Sequence, residues 1–453
     1  MKLRRRLSTP LAAGALAAFA ALARADSPPH APEPPQFPAR LDLATALRFL
    51  RERGLDLLAA EAQVAAARGD LAAAGAIANP TLSAGYGRSH PRGSCTDATG
   101  AAAPCRPLSD PALSASLSDG NALFDALTGK RGLRVDVARA ALDAARLSRD
   151  DALRSLEGQV KTAYAAVVLA RATLDFAGEV ADASNRSFEL SRHRYEEGAI
   201  SEADLARIET VKLEADQAVD ADRASLRAAE VALAFLLGAR GPVPDFEVQA
   251  EGFDRATVPP GLAREGRDAL LERAVHERPD VLAAREQVAR ARAAAALARR
   301  QRIPDVGLSA SYAQQGTSNT AVTPPTWTLG LSVPLPILYQ QQGEIARAEA
   351  EASAQEIALA RAEAQATSDV ETAWAVYQGA RAQAERMQGR LLDRARTAFD
   401  LVTVQYQKGA ASLLDMLDAR RTWIAARLEY YQDVGAYWAA VFRLEQAAGV
   451  ALR

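Results

Sequence analysis

The chain has 453 residues, with 54 Lys and Arg against 56 Asp and Glu and a formal charge of −2. Loss of the first 25 residues would remove Lys2, Arg4, Arg5, Arg6 and Arg24 and move that charge to about −7, which argues against a nucleic-acid partner. His30, His90, His193 and His276 are the only histidines and lack ligand spacing, and no GxSxG, HExxH or glycine-rich phosphate loop occurs, so no catalytic, metal or cofactor constellation is visible.

Residues 1–25 join a cationic head to an apolar core, Leu11 to Leu22, and end on Ala23-Arg24-Ala25. This reads as a signal peptide cleaved after Ala25, the alternative being a retained anchor. No cysteine follows at once, so the mature N-terminus is expected to carry no lipid. Residues 26–40 read as a proline-rich extended arm. No later apolar run reaches the roughly 18–20 residues a membrane helix needs, so any membrane part must be made of strands.

From residue 41 onward the chain is written twice. LAAEAQVAAAR (58–68) matches LAAREQVARAR (282–292) at an offset of 224, and Pro80 matches Pro304 at the same offset. Tyr195, Gly198, Ser201, Asp204 and Gly238 match Tyr406, Gly409, Ser412, Asp415 and Gly449 at an offset of 211. The two repeats span 41–238 and 278–453, joined by 239–277. Each reads as helix, strand, loop, strand, long helix, tight turn, helix.

Strands are expected at 80–88, 112–118, 305–313 and 326–334, where large apolar residues alternate with Ser, Gly and Thr. Leu82, Ala84 and Tyr86 share one face, as do Trp327, Leu329 and Leu331. Cys95 and Cys105 lie in the Gly/Ser/Pro-rich loop of the first pair. In an oxidising compartment they read as a disulfide; metal ligation, the alternative, finds no second pair nearby. The rods from Leu133 to Glu196 and from Glu344 to Gln407 read as continuous helices, and Leu392, Ala395, Phe399, Val402 and Tyr406 follow heptad spacing. At the turns, Gly198 and Gly409 suit helix ends and Ser201 and Ser412 suit helix caps.

Four strands cannot close a barrel, and open edges in lipid leave backbone groups unpaired. Closure therefore calls for further copies; three would give twelve strands, apolar outside and polar within. Tyr86, Tyr312 and Trp327 would then sit in an interfacial girdle.

The duplicated unit, RPDV (278–281) with the run that follows it, and the paired turns RYEEGAISEADL and QYQKGAASLLDML resemble the TolC-type outer membrane factors of efflux and type I secretion systems. The resemblance covers nearly the whole mature chain. It implies a mainly α fold with a small transmembrane β part: a homotrimer whose twelve-stranded barrel continues into a long periplasmic α-helical barrel. Residues 239–277, with the N-terminal arm and C-terminal end, would form a belt around it.

The resemblance further implies that the turns, including Tyr195, Gly198, Ser201, Gly409 and Ser412, meet a periplasmic adaptor. Asp415 and Asp418 would line the narrowest ring, and Tyr406 would hydrogen-bond Asp204 as a latch. The competing reading of Asp415 and Asp418 is two solvated acids at a helix start. Ala411 stands where some members carry an arginine that ties neighbouring helices; Arg207 occupies the position equivalent to Asp418.

VPLPIL and QQQGEIARAEAE (333–352) are most similar to the branch serving cobalt–zinc–cadmium or copper pumps. The resemblance therefore implies an outer membrane duct beside an inner membrane RND transporter, carrying heavy-metal cations, with drug, solvent or type I secretion as the alternative. A soluble periplasmic coiled coil and a secreted enzyme are the remaining classes. The first would expose large apolar patches to water, and the second lacks catalytic clusters.

Overall fold

The computed structural model describes residues 33, 35, 37–87, 94–96, 99–104, 112–250, 252–314 and 324–452. The signal segment 1–25 lies outside the described residues. So does Cys105, and with it the expected pairing to Cys95.

The chain enters through β1 (Arg40–Leu41), α1 (Leu43–Arg53) and α2 (Leu55–Gly75). Asp42 caps α1 by accepting the Thr45 amide at 2.8 Å. Strands β2 (Thr81–Gly87), β3 (Ser94–Thr96), β4 (Ala102–Pro104) and β5 (Ala112–Ser118) follow, then the short α3 (Ala122–Leu127). Helix α4 (Lys130–Glu196) runs 67 residues, about 100 Å at 1.5 Å per residue. It returns as α5 (Glu202–Leu236), and β6 (Glu247–Val248) and α6 (Arg267–Glu277) lead to the second repeat.

That repeat gives α7 (Pro279–Arg300), β7 (Gly307–Gln314), β8 (Thr326–Ser332), α8 (Gln342–Arg386), α9 (Leu392–Gln407) and α10 (Leu413–Ala448). No helix among the described residues is long and apolar enough to cross a membrane.

The second rod differs from the expected continuous helix: a π-turn, Met387–Leu391, separates α8 from α9. The reason lies in the spacing of the buried stripe. Val370, Ala373, Tyr377, Ala380, Ala384 and Met387 step by threes and fours, but Leu392 is five residues beyond Met387. One wider turn absorbs the extra residue and keeps the stripe facing α10. Gly389 sits there with no neighbour within 4 Å of its Cβ position.

Strands β2, β5, β7 and β8 form one antiparallel sheet in that order, leaving β2 and β8 as edges. The register joins Leu82 to Leu117, Leu117 to Ala310 and Ala310 to Leu329. On the opposite face it joins Ser83, Ser116, Ser311 and Thr328 into a polar row, with Ser83 and Ser116 hydroxyls 2.7 Å apart. The apolar face is bare: Trp327 is 81% and Leu329 89% exposed. Tyr312 and Trp327 pair at 5.0 Å between ring centres near the loop end, away from the helices.

Below the sheet, α4 and the α8–α9 rod run the full length, while shorter helices meet between them. Where α5 ends, Gly238 abuts the carbonyl of Arg53 between α1 and α2; where α10 ends, Gly449 abuts Arg278 ahead of α7. The duplicated sequence thus makes a duplicated junction. The descending helices form one layer in the order α5, α4, α10, α9.

Residues 239–277 lie across this layer. Tyr164, fully buried on α4, donates to the carbonyls of Leu41 and Gln249, tying β1 and the segment after β6 to the rod. Tyr430, Tyr437 and Trp438 of α10 donate to the carbonyls of Asp254, Thr257 and Arg255. Phe253 fills the middle, edge-on to Tyr164, Trp438 and Phe442. Full burial of each such ring contributes about 1.5–3 kcal/mol.

Candidate functional site: the paired helical turns

Both long rods end in the same turn. Gly198 has φ 74° and Gly409 φ 72°, left-handed values that glycine adopts without a Cβ penalty. The Ala199 amide reaches back to the Arg194 carbonyl at 2.7 Å and the Ala410 amide to the Gln405 carbonyl at 2.8 Å. These bonds satisfy carbonyls that a helix end leaves free. Tyr195 is exposed and Tyr406 half-buried just before them.

The returning helices start on serine. Ser201 accepts the Asp204 amide at 3.2 Å and donates its hydroxyl to Asp204 at 2.8 Å. Ser412 accepts the Asp415 amide at 3.2 Å, while Asp415 accepts both the Ser412 amide at 3.0 Å and its hydroxyl at 2.7 Å. The hydroxyl of Ser412, then its amide, hold the Asp415 carboxyl below the usual carboxylate range.

Asp418 stands one turn further on, exposed, 3.3 Å from Arg421. Asp415 and Asp418 share the first two turns of α10, and each has its own partner, Ser412 for the first and Arg421 for the second. In the first repeat, Arg207 lies 3.4 Å from Asp204. Asp204 thus takes Ser201 and Arg207 as partners, and no hydrogen bond joins it to Tyr406 among the described residues.

One residue escaped the sequence reading. Arg420, on α10, is buried and donates to the Val180 carbonyl at 3.0 Å and to the Ser184 hydroxyl. It has no carboxylate partner among the described residues, and desolvation lowers its pKa. It borders a 420 Å³ cleft whose wall includes Val211, Glu214, Leu414 and Asp418. Nothing in the heptad pattern distinguishes Arg420 from its exposed neighbour Arg421.

A four-stranded sheet with a bare apolar face, mounted on two rods that turn at matched glycines, defines a piece of a membrane barrel joined to a helical conduit. The chain belongs to the outer membrane efflux protein family, whose model matches residues 47–239 and 270–450, one stretch in each repeat. It is an outer membrane channel of TolC-like fold, in a family of channels and not of enzymes.

Cobalt-zinc-cadmium resistance protein CzcC of Cupriavidus metallidurans is 26% identical over 325 residues, 71% of this chain and 74% of that protein. The pyoverdine export outer membrane protein OpmQ of Pseudomonas putida is 27% identical over 394 residues, 85% of this chain and 81% of that one. Among solved structures, CusC superposes with a TM-score of 0.72 at 21% identity, covering 95% of this chain and 100% of that one. The outer membrane protein VceC of Vibrio cholerae gives 0.69 at 20% identity, over 91% and 97% of the two chains.

Proposed function

We propose that three copies of this chain form the exit duct of a tripartite RND-type pump and conduct heavy-metal cations passively out of a Gram-negative cell. The observation that carries this reading is the sheet, which leaves the outer edges of β2 and β8 without a partner among the described residues while aligning every large apolar side chain on one face. Edges of neighbouring copies would pair, and a ring of twelve strands would meet lipid outside and water within. The signal peptide is cleaved after Ala25 and the mature chain carries no lipid anchor, so the barrel itself holds it in the membrane.

The turns dock a periplasmic adaptor, and Asp415 and Asp418 of three copies gather six carboxylates at the constriction, favouring cations. Energy comes from the inner membrane transporter. Likeness to CzcC and the QQQGEIARA segment support metal cations as cargo. The longer match to OpmQ favours a second reading, an organic siderophore or drug.

Growth of a deletion strain on zinc, cobalt, cadmium and copper, beside dyes and antibiotics, separates the two. Sensitivity to metals alone supports metal export; sensitivity to organic compounds alone replaces it with the second reading.

A further inference from the structure

The paired strands are short for a membrane. β2, β5 and β8 have 7 residues each and β7 has 8. At about 3.3 Å per residue and a tilt of about 40°, such a strand rises about 18 Å, whereas the apolar band of an outer membrane barrel is about 25 Å tall. A barrel of these strands in lipid leaves about 7 Å of hydrocarbon to be met at one end of the sheet.

The loop end does not meet it. Tyr312 and Trp327 pair there, and aromatic rings of that kind sit where hydrocarbon gives way to water. Past them the sequence turns polar: Arg88, His90 and Arg92 follow β2, and Pro324 and Pro325 stand directly before β8. Charged side chains are costly in hydrocarbon, so that end already belongs to the headgroups.

The helical end is different. The alternation of Trp327, Leu329 and Leu331 runs on in the sequence through Val333, Leu335 and Ile337, past Ser332, the last paired residue of β8. Pro334 and Pro336 lie between them and have no amide proton to extend the ladder. Leu335, Ile337 and Leu338 are 71%, 76% and 99% exposed. In the first repeat α3 follows β5 instead, and its Leu123 and Leu127, about one helical turn apart, are both exposed. Ile77 before β2 and Ile303 before β7 are exposed as well.

Hydrogen bonds tie these segments together at the helical end of the sheet. The Asp119 amide donates to the Leu308 carbonyl at 3.0 Å and the Asp119 carboxylate accepts the Leu308 amide at 3.0 Å, which sets the approach to α3 beside the start of β7. Gly120 abuts Asn79, ahead of β2. Lys130 donates to the Ile303 carbonyl at 2.6 Å, and Arg302 to the Gln340 carbonyl at 3.4 Å. The apolar residues thus form a collar under the sheet. Arg300 and Arg302 beside it are exposed and have no ion pair among the described residues.

Resting on the reading of a barrel in lipid, we propose that this collar lies in the periplasmic leaflet, with Leu335, Ile337, Leu338, Leu123 and Leu127 against acyl chains and the two arginines at the lipid phosphates. Lipid is the occupant because the collar continues the bare face of the sheet without a break, from Leu331 through Val333, and supplies the height that the strands lack. It gives the barrel a second hold on the membrane.

The test places the full mature chain in phosphatidylethanolamine–phosphatidylglycerol vesicles with and without bromine on the acyl chains, since bromine quenches tryptophan on contact. Trp327 lies on the bare face, so bromine should quench part of the emission of the unaltered chain and little of that of Trp327→Phe. Adding Leu338→Trp to Trp327→Phe should add blue-shifted emission, most of which bromine removes. Leu127→Trp, in the other repeat, is the second reporter and should behave alike. An unaltered chain that bromine does not quench overturns the barrel reading and the collar with it. Quenching through Trp327 with none in the Leu338→Trp and Leu127→Trp chains overturns the collar alone; unquenched blue emission would then mean cover by a neighbouring copy, and red emission would mean water. Equal quenching of Leu414→Trp, at the helical turn, would overturn it as well.

Discussion

Lys161 Nζ lies 2.6 Å from Glu445 Oε2, joining α4 to α10 through a salt bridge whose side chains are 13% and 6% exposed. Glu445 also accepts the Leu452 amide at 2.8 Å and, through its carbonyl, the Gly449 amide at 2.9 Å. It therefore fixes the junction of the second repeat and the chain end together. Lys161→Met alone leaves a buried carboxylate without its cation, which costs about 3–5 kcal/mol. Lys161→Met with Glu445→Leu should cost less than Lys161→Met alone. Thermal denaturation in detergent measures both; a double variant that loses as much as the single one would show that the stranded carboxylate is not what destabilises Lys161→Met.

Asp433 presents the opposite situation. Its Oδ2 is buried with no hydrogen-bond partner among the described residues. Desolvation raises its pKa, the neighbouring Glu429 adds to this, and Arg386 opposes it. A carboxyl whose folded pKa lies above its unfolded value costs stability while charged. That cost is full above the folded pKa and fades as pH falls through it. Asp433→Asn is therefore expected to raise the denaturation midpoint at pH 8, with a gain that shrinks as the pH is lowered into the carboxylate range. A gain that grew on acidification would contradict the burial argument.

The turn acids separate charge from capping. Asp415 serves both, since its carboxylate completes the cap with Ser412, whereas the Asp418 carboxylate has only Arg421 among the described residues. Asparagine at either position removes charge and keeps a hydrogen-bonding side chain. Asp415→Ala would also lose the bonds its carboxylate accepts from the Ser412 amide and hydroxyl. In planar bilayers, Asp415→Asn and Asp418→Asn should each reduce cation preference and the double variant reduce it most. Reversal potentials equal to those of the unaltered channel would place the constriction elsewhere.

Much of this architecture was legible in the residues. Period-two alternation fixed four strands to within two residues at each end, because a sheet with two unlike faces tolerates no slip of register. The matched Gly198 and Gly409 and their following serines marked both turns, since helix ends have few chemical solutions. The π-turn was written as a five-residue step from Met387 to Leu392, but a heptad count begun at Leu392 does not reach it. Arg420 was not legible at all: its burial depends on where Val180 and Ser184 of another helix fall, 240 and 236 positions away. The bond from Tyr406 to Asp204 that the resemblance implies is not among the hydrogen bonds of the described residues, where Asp204 takes Ser201 and Arg207.

The sheet offers the sharpest contrast between solvents, because neighbouring residues of β8 face opposite ways. Leu329, paired with Ala310 at the middle of the strand, points its side chain to the bare apolar face. Thr328, paired with Ser311, belongs to the polar row. If the apolar face meets lipid, Leu329→Arg costs about 2–4 kcal/mol near the bilayer midplane, and Thr328→Arg costs little because that side is wet. Leu329→Arg should therefore lower the amount of protein recovered in outer membranes. Thr328→Arg should assemble normally and, by placing a cation in the lumen, reduce conductance to cations. Equal membrane recovery for the two variants would mean that the apolar face is not buried in hydrocarbon, since a guanidinium placed there costs far more than one left in water.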